Sequence, residues 1–218
     1  MRSGKPAAAF AVLLVVSFAT MNAMPSDTLL AAMLQEAVLA LVALVAVRFA
    51  VPDVLKRCTQ AVQQRNTVRF AAIALLLTGL IGGTVTLLTW LFADGGNVSG
   101  FVSAALPLAA GLIRNLLLLL GICLLTGVYE EAFMRVLGIE AFERALDTKR
   151  AILASAALFA LLHVGAPDVS AGQLVLLQTA LKFGQALLFG VILGALYART
   201  RRLWPCAFIH AGFDVLYM

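Results

Sequence analysis

Charge is what this chain lacks. Only 12% of its 218 residues are Asp, Glu, Lys or Arg, 62% are hydrophobic, and the mean hydropathy is +1.00. Soluble domains carry about 25% charged and about 45–50% apolar residues. Half the usual charge cannot cover a soluble surface, so the composition excludes a soluble fold and points to a polytopic membrane protein. Histidine is scarcer still, with two residues, His163 and His210, and there are three cysteines, Cys58, Cys123 and Cys206. The cysteines have no metal spacing and form no disulfide framework. No HExxH occurs, the arrangement in which two histidines on one helix face bind zinc beside a catalytic Glu. The sequence has no low-complexity tract, no internal repeat and no alternating strand pattern of a membrane barrel. The spans are therefore helices, which satisfy their own backbone hydrogen bonds in hydrocarbon.

Seven hydrophobic stretches are present, at roughly 7–24, 28–51, 70–92, 115–142, 150–166, 173–198 and 203–218. Most approach the ~20 residues that cross ~30 Å of hydrocarbon. The fifth and seventh are short, which suits helices packed inside a bundle. Residues 101–142 are too long for one crossing; Pro107 and Gly111 break the run and Arg114–Asn115 adds a polar point. An interfacial or re-entrant piece at 101–113, then a span from near 115, is expected. The fold class is thus an all-α polytopic membrane protein of about seven transmembrane helices. Residues 1–100 would supply N-terminal transmembrane helices of unknown role, and residues 101–218 a C-terminal core. The opening MRSGKPAAAFAVLLVVSFATMNAM has the basic start, apolar centre and small residues of a signal peptide, but the polytopic remainder favours a retained first span.

The few basic residues carry the orientation. Fourteen of the 16, from Arg2 and Lys5 through Arg135 and Arg144 to Arg201 and Arg202, fall on one side of a seven-span path. The opposite loops hold Asp27, Asp94 and Asp168. By the positive-inside rule the N-terminus is cytoplasmic and the C-terminus outside, in the cell's inner (plasma) membrane. The net charge of +5 then reports topology and contact with the lipid bilayer, and nucleic acid is not implied.

Against this background GVYEEAFMR, residues 127–135, stands out. A carboxylate at bilayer depth costs at least a few kcal/mol and normally has a task. At ~1.5 Å per helical residue, Glu130, His163, His210 and Asp214 lie at similar depths on three helices, where a cavity open to the cytoplasm could end. Glu131 and Arg135 are i and i+4, as are His210 and Asp214, so each pair shares a helix face. Pairing accounts for Glu131 and leaves Glu130, about 100° around the helix, without a local partner, as a general base would be. Taken singly, each feature has a plainer explanation: a buried His is most often structural, and a Glu–Arg pair most often staples its helix. The joint pattern favours function. Gln178, Lys182 and Gln185 form a polar stripe on the sixth span. It serves either as interhelical glue, with Lys182 paired to Glu36 of the second span, or as cavity lining for a substrate groove.

The same residues resemble a family. EEAFMR (Glu130 to Arg135) fits EExxxR, FALLH (Phe159 to His163) fits FxxxH, and HAGFD (His210 to Asp214) fits HxxxN or its variants. In this order on consecutive spans they are similar to the CAAX-protease and bacteriocin-processing family of intramembrane glutamic proteases. The likeness covers about residues 115–218. It implies a metal-independent hydrolase, without cofactor, acting on a membrane-associated peptide or protein substrate. Glu130 with His163 would activate water, His210 and position 214 would stabilise the oxyanion, and Glu131 and Arg135 would brace the helix. Position 214 is Asp where the family's best-known members carry Asn. A carboxylate repels an oxyanion, so Asp214 is either a neutral acid or the partner of a His210 imidazolium that does the donating; the spacing favours the second. Two rivals remain: a zinc-dependent membrane metalloprotease, with the Glu and histidines as ligands, and a non-catalytic immunity or transport protein. A rhomboid-type serine protease lacks a serine set beside these histidines.

Overall fold

The computed structural model describes residues 4–24, 27–56, 112–164 and 173–217, with single helical positions at 69, 73, 76, 79 and 80. The third expected span beyond those positions, the piece at 101–111, Cys58, Asp94 and Asp168 lie outside the described residues. Within them every regular element is helical: α1 Lys5–Ala23, α2 Leu29–Ala50, the short α3 Pro52–Lys56, α5 Thr148–Val164, α6 Gln173–Thr200 and α7 Leu203–Tyr217. Between α3 and α5 in chain order, α4 runs Leu112–Glu131, widens into a π-helical segment Ala132–Ile139 and closes with Glu140–Phe142. Among the described residues, α1, α2, α4 and α6 are long and apolar enough to cross a membrane. The shorter α5 and α7 occupy the expected fifth and seventh spans.

Local chemistry sets the helix ends. Pro6 lies in the first turn of α1, where its missing N–H costs nothing. Thr28 caps α2, its Oγ1 accepting from Ala31 N at 3.1 Å. Pro52 stops α2, because the residue before a proline avoids helical geometry. Asp147 starts α5 by accepting from Arg150 N at 3.0 Å.

The turn from α6 to α7 passes through Arg201, a non-glycine residue at φ 50°. Its guanidinium offsets that backbone cost by donating to Glu140 at 2.7 Å and to Glu143 at 2.7 and 2.9 Å. Hydrogen bonding to Glu143 holds the Arg201 pKa above its ordinary value. These bonds tie the α6–α7 turn to the end of α4. A Cβ on Gly4, at the start of α1, would lie 3.6 Å from Arg144 Nη1. Three chain segments rich in basic residues therefore meet at one end of the bundle, as the one-sided charge distribution requires.

The helices approach closely where side chains are absent. A Cβ at Gly127 of α4 would stand 2.6 Å from the Ala207 carbonyl oxygen of α7, and one at Gly190 of α6 would stand 2.9 Å from Ala156 Cα of α5. Small residues at such crossings permit the backbone contact that drives helix association in lipid. Gly127 lies one turn before Glu130 and Glu131 and brings α7 against them. By contrast, a Cβ at Gly184 would meet nothing within 4 Å. Gly190→Val is expected to lower stability in detergent by about 1–3 kcal/mol, the usual cost of overpacking. Gly184→Ala should leave it unchanged or raise it by up to about 1 kcal/mol. Unfolding midpoints of the two variants check this contrast.

Candidate active site

Glu130 and Glu131 end the regular part of α4, and the π-helical segment begins one residue later. All eight of its residues are buried. Such widened turns recur at functional sites. The Met134 carbonyl inside it accepts a hydrogen bond from Ser155 Oγ of α5 at 2.7 Å. This locks the π segment to the helix that carries His163.

Glu131 and Arg135 are fully buried, with Arg135 Nε 3.1 Å from Glu131 Oε2. The expected pair is present, but Arg135 is not among the basic residues at the bundle's end, where its position had counted toward the topology. Its N–H vectors are poorly aimed, so its guanidinium nitrogens have no hydrogen-bond partner. They are supported instead by the Phe159 ring, whose centroid lies 4.6 Å from Arg135 Cζ. A cation over a desolvated ring gains about 2 kcal/mol or more. The same ring packs 4.1 Å from the ring of His163 and 6.0 Å from that of His210. In sequence, Phe159 was a letter of a motif; in the fold it is the surface on which a cation and both histidines rest.

Glu131 also does more than brace its helix. Its Oε1 lies 2.8 Å from His210 Nδ1, a bond between residues 79 apart in the chain. Glu131, paired with Arg135, can only accept, so the proton sits on His210 Nδ1 and Nε2 faces the cavity side. His163 is fixed in the same way, its Nδ1–H donating to the Phe159 carbonyl at 2.9 Å. Glu130 Oε2 then lies 3.6 Å from His163 Nε2 and 3.5 Å from His210 Nε2, with no hydrogen-bond partner of its own. Asp214 Oδ1 stands 3.8 Å from His210 Nε2, close enough for charge interaction and too far for a hydrogen bond. The expected His210–Asp214 pairing is therefore looser than its spacing suggests. Phe189 of α6, which carried no local signal, packs edge-on against His210 at 4.8 Å.

Two cavities flank these groups. One, of about 180 Å³, is lined by His163, Lys182, Gln185, Phe189, His210 and Asp214 among others. Lys182 therefore lines the site as one of its two expected roles required, whereas Gln178 lines neither cavity. No ion pair joins Lys182 to Glu36 among the described residues. Glu36 instead faces α4, with Thr126 as hydrogen-bond partner and Glu130, Asp214 and His210 as charged neighbours. One of its oxygens is buried without a partner. The other cavity, of about 490 Å³, lies between α1, α4 and α5 and ends at Glu130 and His163. Among the described residues no three His, Cys, Asp or Glu side chains are gathered to hold a metal ion.

The three motifs thus converge on one cluster. Residues 112–216 match the model of a family described as type II CAAX prenyl endopeptidase Rce1-like. Over that segment, just under half of its length, the chain is similar to the Rce1-like family. No curated protein and no solved structure matches the chain. That similarity, with the long apolar helices, points to a membrane protease in kind. The match begins at α4, so α1 and α2 lie outside the Rce1-like segment although both border the cluster.

The Glu131–Arg135 pair should be the costliest feature to break. Removing one partner of a buried ion pair strands a charge at about 3–5 kcal/mol. Arg135→Met is expected to lower stability by roughly that amount, seen as an earlier unfolding midpoint. Glu131→Gln/Arg135→Met together should recover part of the loss.

Proposed function

We propose that the protein is an intramembrane glutamic-type endopeptidase, hydrolysing a peptide bond of a membrane-associated peptide or protein with a water activated by Glu130 and His163. The observation that carries this reading is the position of Glu130 Oε2, unpartnered and 3.5–3.6 Å from the Nε2 atoms of both histidines. A water standing off the Glu130–His163 line touches both at an ordinary ~2.8 Å. His163 spends Nδ1–H on a carbonyl, so its Nε2 lone pair is free to accept from that water. Glu130 takes the water's proton as the oxygen attacks the substrate carbonyl, and returns it to the leaving amine as the C–N bond breaks.

The oxyanion that forms needs a donor. His210 gives Nδ1–H to Glu131, so Nε2 donates only when the ring is an imidazolium. Glu131 on one side and Asp214 on the other support that cation. This accounts for an acid at position 214: it acts on the ring and leaves the oxyanion contact to Nε2. Glu131 and Arg135 hold the ring in place, and Lys182 lines the smaller cavity.

Orientation follows the same logic. The positive-inside rule puts the basic end of the bundle, with Arg144 and Arg201, in the cytoplasm and the C-terminus outside. The full count of seven spans and the plasma-membrane location belong to this proposal.

Purified variants scored for cleavage of a membrane-associated precursor test it. His210→Ala is expected to lose about 10²–10³ in rate, the cost of one oxyanion donor. Glu130→Gln and His163→Ala should each lose at least about 10²-fold while still inserting. Full activity in all three would favour an immunity or transport role. Activity that survives exhaustive chelation, with no metal bound to the purified chain, separates this chemistry from a zinc protease. Asp214→Asn should stay active with an altered pH profile; complete inactivation of the folded variant would remove the imidazolium account.

A further inference from the structure

The larger cavity has a wall that the Rce1-like segment does not contain. Leu14, Ser17, Phe18 and Met21 of α1 line it, opposite Tyr129, Glu130, Phe133, Met134, Phe159, Leu162 and His163. Its rim faces outward: Phe18 is 74% exposed, Met21 51% and Leu162 50%. On the flank of a membrane bundle that exposure is to lipid. At the other end of α1, Phe10 is clamped on Phe133 at 4.7 Å and on Phe142 at 5.9 Å. The helix is therefore pinned near its start, while its second half forms one side of an opening.

The polar groups of the lining are nearly all spent. Ser17 Oγ donates to the Leu13 carbonyl at 2.6 Å, and the Tyr129 side chain is hydrogen-bonded to Ser17. Only Glu130 and His163, at the inner end, keep polar atoms for a ligand. A molecule that fills this space must be apolar along its length and polar at one end. About 490 Å³ is within the range of ligand pockets, which bury most of a bulky apolar group.

We propose that α1 is the specificity wall of the enzyme, with Leu14, Phe18 and Met21 selecting large hydrocarbon side chains of the substrate peptide beside the scissile bond. The peptide enters from lipid between α1 and α5, past Phe18, Met21 and Leu162. This inference rests on the proposed protease reading, because Glu130 and His163 mark where the carbonyl must stop. The occupant is the peptide's own side chain, since this cavity adjoins Glu130 directly and is the roomier of the two beside the site, the other holding about 180 Å³ and carrying Lys182, Gln185 and Asp214.

The test uses the purified full chain in micelles and fluorescent peptides of one frame. The variable residue is Ala, Leu, Phe or an S-alkylated Cys. Binding is read by anisotropy on the Glu130→Gln chain, and cleavage on the wild type. Leu and Phe peptides are expected to bind at least about tenfold tighter than the Ala peptide, the discrimination a hydrophobic pocket gives. Phe18→Trp and Met21→Trp, which fill the cavity, should cut the Leu-to-Ala binding ratio at least about fivefold. Val15→Trp, on the lipid-facing side of α1 and outside the cavity, should leave the ratio unchanged. Equal binding of all peptides, insensitivity to the α1 substitutions, or a preference confined to the S-alkylated peptide would overturn the assignment. Selective binding by a wild type that cleaves none of the peptides would keep the wall and count against the protease reading.

Discussion

The constraint on which the site depends is the burial of Arg135. A guanidinium with no exposed surface, inside a bundle read as crossing lipid, must be surrounded by whatever makes its charge tolerable. Glu131 neutralises it from one side and the Phe159 ring faces it from another. Each of those groups then carries a second load. Glu131 holds His210 by Nδ1, and Phe159 supports the rings of both histidines. The ion pair is therefore less a staple of one helix than the joint through which α4, α5 and α7 share an arrangement. A buried ion pair is weak evidence for stability taken alone; here its use is geometric, since it fixes which nitrogen of His210 is left to face the cavity.

Packing makes that joint possible. The carboxylates reach α7 only because Gly127 lets the α4 backbone lie against the Ala207 carbonyl. His163 reaches the same place because Ala156 and Gly190 let α5 and α6 touch. The π segment adds a constraint of its own: it starts directly after Glu131, and Ser155 fixes one of its carbonyls to α5. Rigid elements placed this way suit chemistry that requires groups held to within about 0.5 Å.

Much of this was legible in the sequence, and the illegible part has a common cause. Spans four to seven and the Glu131–Arg135 pair follow from hydropathy and i+4 spacing, both local properties. The convergence of Glu130, His163 and His210 followed from depth arithmetic together with the ordered motifs. What escaped was every contact that depends on rotation about a helix axis. The Glu131–His210 bond and the place of Phe189 depend on the angular register of α4, α6 and α7, and a π segment shifts that register with no compositional mark. Lys182 had two expected roles, interhelical partner of Glu36 or cavity lining, and spacing alone did not separate them; the helices face so that Lys182 lines the small cavity and Glu36 meets Thr126. Arg135 counted toward topology because charge usually lies at span ends, and its burial shows that an interior charge carries no such information.

The two adjacent glutamates show how one helix gives like residues different surroundings. Successive positions on a helix point about 100° apart. Position 131 turns into the joint between α4 and α7, where Oε1 meets the His210 imidazole and Oε2 faces the Arg135 guanidinium as a charge contact. Position 130 turns toward α1 and α5, where the lining is otherwise apolar and one oxygen stays without a partner. Their surroundings differ, and α1, outside the Rce1-like segment, supplies part of that difference by lining the cavity that holds Glu130.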